Sequence, residues 1–352
     1  MARSARPTRA EQDATRLCHT GWDTRNPRHD VARAVRRIMP VDAVFVATAD
    51  PETLLFTGAW PEEPLDSAAD LFLDNELAGD DVNRFAALAT TGQHVASLDE
   101  ATRGDRRASG RYREIMRPLG LGDELRAALV AGGVCWGYVC LHREDDPAGF
   151  TPAEAAALAR LAPHLGHALR NAVLRHGSPA PDPTLRPGVL LLADDLSVAA
   201  ITPEAEQLLS LIDRPGRYPL PPAIYAVAGA LRAVEHGTAA PATLPSARVA
   251  TSAGPWLNVH ASRLSGAADP HQIAVVVEPV EPRASVPLML SAHGLTAREA
   301  EVAKLVLRGD PTRTIADTLH ISRHTVQDHL KSVFDKTGVR SRRDLVGRLL
   351  SP

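Results

Sequence analysis

Cysteine and aromatic residues are scarce in this sequence of 352 residues. Phenylalanine, tryptophan and tyrosine together make up 4% of it, and there are three cysteines. An odd, small number of cysteines without metal-type spacing argues against a disulfide framework. Cys135 and Cys140 are five residues apart, so on one regular strand they should point to opposite faces and could not share a metal ion. Together with Cys18, they are expected to be reduced thiols in the core.

Long apolar runs are missing as well. No run approaches the roughly 18 residues that a membrane span needs, and the first residues lack the apolar centre of a signal peptide. We therefore expect a cytoplasmic protein that does not enter a membrane. A content of 44% hydrophobic and 23% charged residues is typical of globular domains, and the length favours two or three of them.

The motifs of common enzyme classes are also absent. There is no glycine-rich phosphate loop and no G-x-S-x-G nucleophile elbow. Asp194 and Asp195 follow an apolar run, as in phosphorylated receiver domains, but no acceptor aspartate follows forty to fifty residues later, which favours a simple turn. His164 and His167 lie opposite a leucine stripe, which indicates a solvated face rather than a metal site. We predict no enzymatic activity, no catalytic residue, no metal ion and no cofactor.

Two proline-rich stretches divide the chain into three modules, because proline lacks a backbone donor and restricts the residue before it to extended shapes. We expect both stretches to be semi-rigid connectors. The predicted division is a basic N-terminal arm at 1–27, a first module at 28–176, a linker at 177–187, a second module at 188–278, a linker at 279–290 and a third module at 291–352.

The first two modules show the patterns of α+β domains. In the first, two β-rich runs meet at Gly132-Gly133, a strong hairpin signal. Thr151, Pro152 and Glu154 then form a helix start with an N-cap, a proline at the first position and a capping-box partner. That helix carries a leucine stripe made of Leu158, Leu161, Leu165 and Leu169. The second module runs strand, helices and strands again.

Positive charge is concentrated in the third module. From Ser291 onward, eleven basic residues stand against seven acidic ones, a balance of +4. The preceding residues hold the other 28 basic and 35 acidic side chains, a balance of −7. A cationic segment on an acidic body indicates a polyanionic partner for that segment.

The third module also has a helix-turn-helix pattern. "GLTAREAEVAKLVLRG" begins with a capping box and ends at glycine, "TRTIADTLH" is a short second helix, and Ser322 can cap the helix that follows. One face of that last helix is apolar and is expected to pack against the rest of the module. It consists of Val326, Leu330, Val333 and Phe334. His324, Gln327, Asp328 and Lys331 lie on the far side, where side chains reach base edges and phosphates if the helix enters a major groove.

Residues Leu295 to Leu350 resemble the LuxR-type (NarL/FixJ) helix-turn-helix domain, through "LTAREAE", "IADTL", "ISRHTV", "HL", "FDKTGVRSR" and "LV". The resemblance implies a four-helix domain that binds double-stranded DNA with its third helix, at about 322–336, in the major groove. It further implies a homodimer to which the last helix contributes. The DNA-binding residues predicted on this basis are Arg313, Ser322, Arg323, His324, Thr325, Gln327, Asp328, Lys331 and Lys336.

The chain departs from the family pattern at positions that affect the operator sequence. Thr314 stands where glutamate is usual, and Gln327 where lysine or arginine is common. Asp328 places a negative charge near phosphates, which weakens non-specific binding unless it accepts a hydrogen bond from a cytosine amino group. Gln327 could instead pair with adenine.

The first module resembles GAF domains, in "VDAVFVATADPETLLFTGAW" and "WGYVCLHREDDPAGFTPAEAAALARLAPHLGHAL", and the second is similar to PAS domains, in "GVLLLADDLSVAAITPEAEQLL". Such folds bind varied small molecules or mediate dimerisation, so the fold alone does not give the ligand. Four aromatic side chains are candidates for lining a ligand pocket, with core packing as the alternative: Trp60, Trp136, Tyr138 and Trp256.

The predicted fold class is therefore multidomain, with two α+β sensor-like modules (GAF-like and PAS-like) followed by an all-α four-helix LuxR-type helix-turn-helix domain. The predicted function is transcriptional regulation through sequence-specific DNA binding, controlled by the N-terminal modules. RNA polymerase and a small-molecule ligand are further partners that this hypothesis allows. Two alternatives stay open: a constitutive DNA-binding protein whose N-terminal half only dimerises, and an enzyme with a DNA-binding appendage.

Overall fold

The computed structural model describes residues 8–20, 22, 27–144, 149–176, 184–214, 219–238, 244–252, 254–266 and 272–350. None of the helices in these ranges combines the length and the apolar character needed to cross a membrane. Most of the predicted linker at 177–187 lies outside the described residues.

The first module is a five-stranded antiparallel sheet with helices on both faces. The elements are α1 (Arg9–Thr20), α2 (Pro27–Arg36), β1 (Ala43–Ala49), β2 (Phe56–Pro61), α3 (Ala69–Ala78), α4 (Phe85–Thr90), β3 (Val95–Ser97), α5 (Leu98–Ala101), β4 (Leu121–Ala131), β5 (Val134–Glu144) and α6 (Pro152–His176). The strands occur in the order β2-β1-β5-β4-β3 across the sheet.

The local signals of this module are confirmed. Gly132 and Gly133, between β4 and β5, have φ values of 63° and 77°, which the tight turn requires. At the start of α6, Thr151 Oγ1 accepts from the backbone of Glu154 at 3.3 Å, and the Glu154 side chain accepts from the backbone of Thr151 at 2.9 Å. The leucine stripe of α6 is buried against the sheet.

A bulge in β5 corrects the expectation for the cysteines. The register of β4 with β5 shifts between Ala128 and Val130, where β5 carries one residue more than β4. The extra residue turns Cys135 to the same face as Cys140, while Trp136 packs in the core under α6. The prediction that the two cysteines lie on opposite faces is therefore wrong, because bulges break strand alternation. All three cysteines are free and buried, as predicted.

The N-terminal segment predicted as a basic arm contains a packed helix. In α1, Ala14 and Cys18 are buried against α6, and Glu11 pairs with Arg160 at 2.7 Å. Because these apolar positions are four residues apart, they form one face of α1 that packs against α6, a feature that the arginine-rich composition of the segment does not indicate.

The prediction that His164 and His167 lie on a solvated face is also wrong, because α1 covers that face of α6. His19 of α1 lies against it, with its Nε2 2.9 Å from His164 Nδ1 and its ring centroid 4.7 Å from that of His167. Both histidines of α6 are half-buried because α1 lies beside them.

The second module repeats the strand order of the first. Its five antiparallel strands lie in the order β7-β6-β10-β9-β8. The elements are β6 (Gly188–Leu192), β7 (Val198–Ile201), α7 (Pro203–Ser210), α8 (Pro222–Glu235), β8 (Ser246–Val249), β9 (Leu257–Arg263) and β10 (Ile273–Pro279). Asp195 forms the predicted turn, since its Oδ1 accepts from the backbone and side chain of Ser197 at 3.0 and 2.6 Å.

The two modules share one hydrophobic core. Helix α8 packs against α3 and β2 of the first module as well as against its own sheet. An ion pair closes the boundary, in which Nε and Nη2 of Arg248 donate to the two carboxylate oxygens of Asp50 at 2.8 and 2.7 Å. Asp50 is 2% exposed, so this bidentate contact fixes the two sheets relative to each other.

The predicted linker at 279–290 is largely a helix. Helix α9 (Pro282–Ala292) has Pro282 at its first position, where the missing N–H of proline costs no hydrogen bond. Apolar side chains on two sides of α9 are buried. This burial stabilises a helix that a sequence with two prolines does not lead one to expect. The prediction of a semi-rigid connector is therefore wrong for 282–290.

The third module is all helical and consists of α10 (Ala297–Leu307), α11 (Thr312–Leu319), α12 (Arg323–Thr337) and α13 (Arg342–Leu350). These four helices and α9 surround a separate hydrophobic core. The predicted capping box of α10 is present, between Thr296 and Glu299.

Candidate nucleic-acid interface

Helix α12 is held by its ends and by one apolar face. Ser322 Oγ accepts from the backbone N–H of Thr325 at 3.0 Å at the start, and Gly338 ends the helix with φ of 68°. Val326, Leu330 and Val333 are at most 2% exposed and pack in the core with α10 and α11. The predicted packing face of this helix is confirmed.

The opposite face of α12 is open to solvent. Its exposed side chains are Arg323, His324, Gln327, Asp328, Lys331 and Asp335. The side chains of His324 and Asp328 are 89% and 67% exposed and 3.8 Å apart. The face therefore presents hydrogen-bond donors and acceptors side by side, on a helix whose position is fixed by the burial of its opposite, apolar face.

Other predicted DNA-binding residues have contacts of their own. Ser322 caps the helix, and Thr325 Oγ1 lies 2.9 Å from Ser322 Oγ. Gln327 Nε2 donates to Thr312 Oγ1 at 3.4 Å, which links α12 to the start of α11. Arg313 on α11 is exposed.

Lys336 is engaged in an ion pair between helices. Its Nζ lies 2.7 Å from Glu299 Oε2, and Ser332 Oγ donates to the other carboxylate oxygen at 2.5 Å. Burial raises the pKa of Glu299, but the hydrogen bonds from Lys336 and Ser332 outweigh this and lower it to about 2. Lys336 thus orients α12 on α10, a role that its place in the sequence does not indicate.

Because the pKa of Glu299 is lower in the folded than in the unfolded state, its stabilisation is complete above about pH 4.5 and is lost as the pH falls toward 2. At about 1.4 kcal/mol per pKa unit, we expect Glu299→Gln to cost up to about 3 kcal/mol at pH 7. Hydrogen exchange of the α10 and α12 amides would measure this. In the variant, these amides should lose much less protection between pH 4.5 and 2; parallel losses in variant and wild type would contradict the assignment.

Sequence reasoning also missed Arg342. Its guanidinium donates to the carbonyl of Asp310 and to Thr312 Oγ1, both at 2.9 Å, and so holds the start of α11. The contact joins residues about thirty positions apart, and no local pattern signals it.

The four aromatic candidates for a ligand pocket are not brought together. Trp136 lies under α6, Trp60 packs on His29, and Trp256 packs on His176. Tyr138 is on the other face of the sheet, where its hydroxyl donates to the Leu54 carbonyl at 2.9 Å. Their positions therefore favour the alternative interpretation of these four residues, which is core packing.

Comparison with known proteins matches two parts of the chain. The family described as "Bacterial regulatory proteins, luxR family" matches residues 293–349, and the GAF domain matches residues 29–169. These ranges coincide with the all-helical C-terminal module and with the first α+β module.

Two relatives are similar to a short part of the chain. The monoamine regulon transcriptional regulator of Klebsiella aerogenes is 43% identical over 58 residues, which are 16% of this chain and 26% of that protein. The spore germination protein GerE of Bacillus subtilis (strain 168) is 41% identical over 56 residues, 16% of this chain and 76% of that protein. The chain thus spans about a quarter of the first relative and about three quarters of the second.

Among solved structures, the E. coli DhaR(N)-DhaL complex aligns with 77% of this chain and 87% of its own, at 11% identity and a TM-score of 0.26, a likeness too weak to support an argument. The match to GerE, by contrast, covers most of that protein at 41% identity. The luxR-family match at 293–349 includes the whole of α12. On this evidence the chain belongs to the luxR family of bacterial regulatory proteins, with its DNA-binding domain at 293–349 and a GAF domain at 29–169.

Proposed function

We propose that this protein regulates transcription by binding a specific DNA sequence as a homodimer, with α12 in the major groove and with its N-terminal modules controlling the outcome. The observation that carries the proposal is the two-sided character of α12. One face is buried in the core, and the other presents an exposed row of polar, basic and acidic side chains on the net-positive part of the chain.

Four exposed side chains of α12 suit different parts of the DNA. Arg323 and Lys331 would contact phosphates, which position the helix without reading sequence. Gln327 would donate to and accept from adenine, and Asp328 would accept from a cytosine amino group. In a dimer, two such helices bind half-sites about one helical turn apart.

Control by the N-terminal modules is supported by the contacts of α9. Leu288 and Ala292 of this helix belong to the core that includes α6 of the GAF domain. Met289 and Leu290 belong to the core of α10 to α13. A change of packing around α6 would thereby reach the DNA-binding domain through one short helix. The proposed domain limits are 28–176, 188–278 and 291–352, with α9 as an element shared by the first and the third.

The salt dependence of DNA binding by the full chain tests the placement of α12. Lys331→Ala should weaken binding to all sequences alike and reduce the slope of log K against log salt by about one, because one phosphate contact is lost. Gln327→Ala should leave the slope unchanged and relax the preference at one base pair by about 1–3 kcal/mol.

Lys304→Ala is the matched control, since Lys304 is an exposed lysine of α10 outside the proposed interface. An unchanged affinity and slope for Lys331→Ala over the range 50–200 mM salt would contradict the placement of α12, as would an equal effect of Lys304→Ala.

A further inference from the structure

Two polar side chains of the DNA-binding domain lie in a row beside the exposed residue Gln327. Thr312 is the first residue of α11, Arg342 is the first residue of α13, and both are half-buried. Gln327 Nε2 donates to Thr312 Oγ1 at 3.4 Å, and Arg342 Nη2 donates to the same oxygen at 2.9 Å. The three side chains thus form one chain of hydrogen bonds that connects α13, α11 and α12.

The position of Thr312 is fixed independently of Gln327. Arg342 Nη1 donates to the carbonyl of Asp310 at 2.9 Å, so the guanidinium holds the residues on either side of Pro311. A guanidinium is planar, and its nitrogen atoms donate but do not accept. Arg342 therefore occupies one acceptor position of the Thr312 hydroxyl oxygen and leaves the second one for Gln327.

A glutamine amide that can turn over freely discriminates poorly between bases. Its oxygen accepts and its nitrogen donates, and half a turn about the last side-chain bond exchanges the two. In one orientation the amide accepts from N6 of adenine and donates to N7, whereas in the other its nitrogen meets bases that present an acceptor, such as O4 of thymine or O6 of guanine. The base that Gln327 prefers therefore depends on which end of its amide is held.

The contact with Thr312 holds the nitrogen end. It uses one hydrogen of Gln327 Nε2 and leaves the other hydrogen and Oε1 free. A free N–H and a free carbonyl oxygen are the two groups that pair with N7 and N6 of adenine. Turning the amide over breaks this hydrogen bond and places Oε1 beside Thr312 Oγ1 instead.

We propose that Thr312, held by Arg342, positions the amide of Gln327 so that this side chain selects adenine at one base pair of the operator. Thr312 is then a positioning residue, because it acts through Gln327 and contacts no base itself. The inference rests on the proposed function, since it concerns a base contact made by α12 in the major groove. It adds to that function the side chains that determine which base is selected.

A phosphate contact is the competing role for Thr312. It stands at the start of α11, where helices favour anions, and threonine hydroxyls donate to phosphate oxygens in many complexes. A phosphate contact carries no sequence information, so its loss weakens binding to every duplex alike. Loss of a positioned amide instead changes the order in which duplexes are preferred. The two roles are therefore separated by base preference and not by affinity alone.

Selection from a pool of randomised DNA duplexes by the full chain tests the inference. The selected duplex and its single-base-pair variants are then titrated, and Gln327→Ala identifies the base pair at which the preference depends on this residue. There the wild type should prefer adenine by at least about tenfold. Thr312→Val has nearly the same shape but no hydroxyl, and it should reduce the preference to less than about threefold.

Three comparisons separate positioning from folding. Thr312→Ser keeps the hydroxyl and should keep the preference for adenine. Thr318→Val changes an exposed threonine of the same helix and should leave the preference unchanged. In the Gln327→Ala background, Thr312→Val should have no further effect on base preference, because a residue that acts through Gln327 loses its influence together with it. The slope of log K against log salt should be the same in all these variants.

Four results would overturn the inference while leaving the proposed function intact. Thr312→Val keeps the preference for adenine, it weakens binding to all duplexes equally, it changes base preference as strongly without Gln327 as with it, or Gln327→Ala alters the preference at no base pair. In each of these cases the wild type still selects a sequence. A wild type that selects no sequence would contradict the proposed function, and the inference would fail with it.

Discussion

Replacement of Glu124 by glutamine should lower the free energy of unfolding of the GAF domain by about 3–5 kcal/mol. Glu124 is fully buried and accepts from Nε of Arg111 at 2.8 Å, with Nε of Arg126 3.1 Å from the same oxygen. Burial raises the pKa of Glu124, but the charges of Arg111 and Arg126 outweigh it and hold the pKa far below its usual range. Glutamine has the same shape but no charge, so the positive charges of the two buried guanidinium groups would be only partly neutralised.

The stability of β4 and β5, measured by hydrogen exchange, is the appropriate readout because it isolates this sheet within a multidomain chain. Asp13→Asn is the matched control: Asp13 and Arg16 are 49% and 74% exposed and 3.8 Å apart, and such a pair contributes less than about 1 kcal/mol. Equal stabilities of Glu124→Gln and Asp13→Asn would show that the ion cluster is not coupled to folding.

The features that local chemistry determines were predictable from the sequence. The capping boxes of α6 and α10, the Gly132-Gly133 turn and the apolar face of α12 each depend on residues within one or two turns of chain. The exposed face of α12 follows from the same periodicity, so most of the candidate interface could be placed before the structure was known.

The features that the sequence did not indicate depend on distant partners. Arg111 and Glu124 meet across 13 residues, and Asp50 meets Arg248 across 198. Lys336 looks like a residue free to contact DNA until α10 places Glu299 beside it. The bulge in β5 depends on one extra residue in a strand, which alternation cannot reveal. A cavity between the sheet of the first module and α3 was missed because the aromatic residues considered were three tryptophans and a tyrosine, whereas phenylalanines from separate elements line it.

Helix α9 offers the second large effect, because it belongs to two cores at once. Leu288 and Leu290 are 3% and 1% exposed, and removing three carbons from a buried leucine costs about 2–5 kcal/mol. Leu288→Ala should destabilise the packing of α6, since Leu288 lies in the core on that side. Leu290→Ala should instead destabilise α10 and α13, whose core it shares.

Hydrogen exchange measured helix by helix distinguishes the two variants. Met289→Leu is the control: it conserves volume, so it should lower the free energy of unfolding by less than about 1.5 kcal/mol. If both alanine variants loosened only α10 to α13, α9 would belong to the DNA-binding domain alone, and the proposed route of control would lose its physical link. If each loosens its own side, and Leu288→Ala also alters DNA affinity without touching the DNA-binding core, then packing at α6 and the position of α12 are coupled through this helix. The coupling would be energetic rather than steric, because the polar face of α12 is already exposed in the structure.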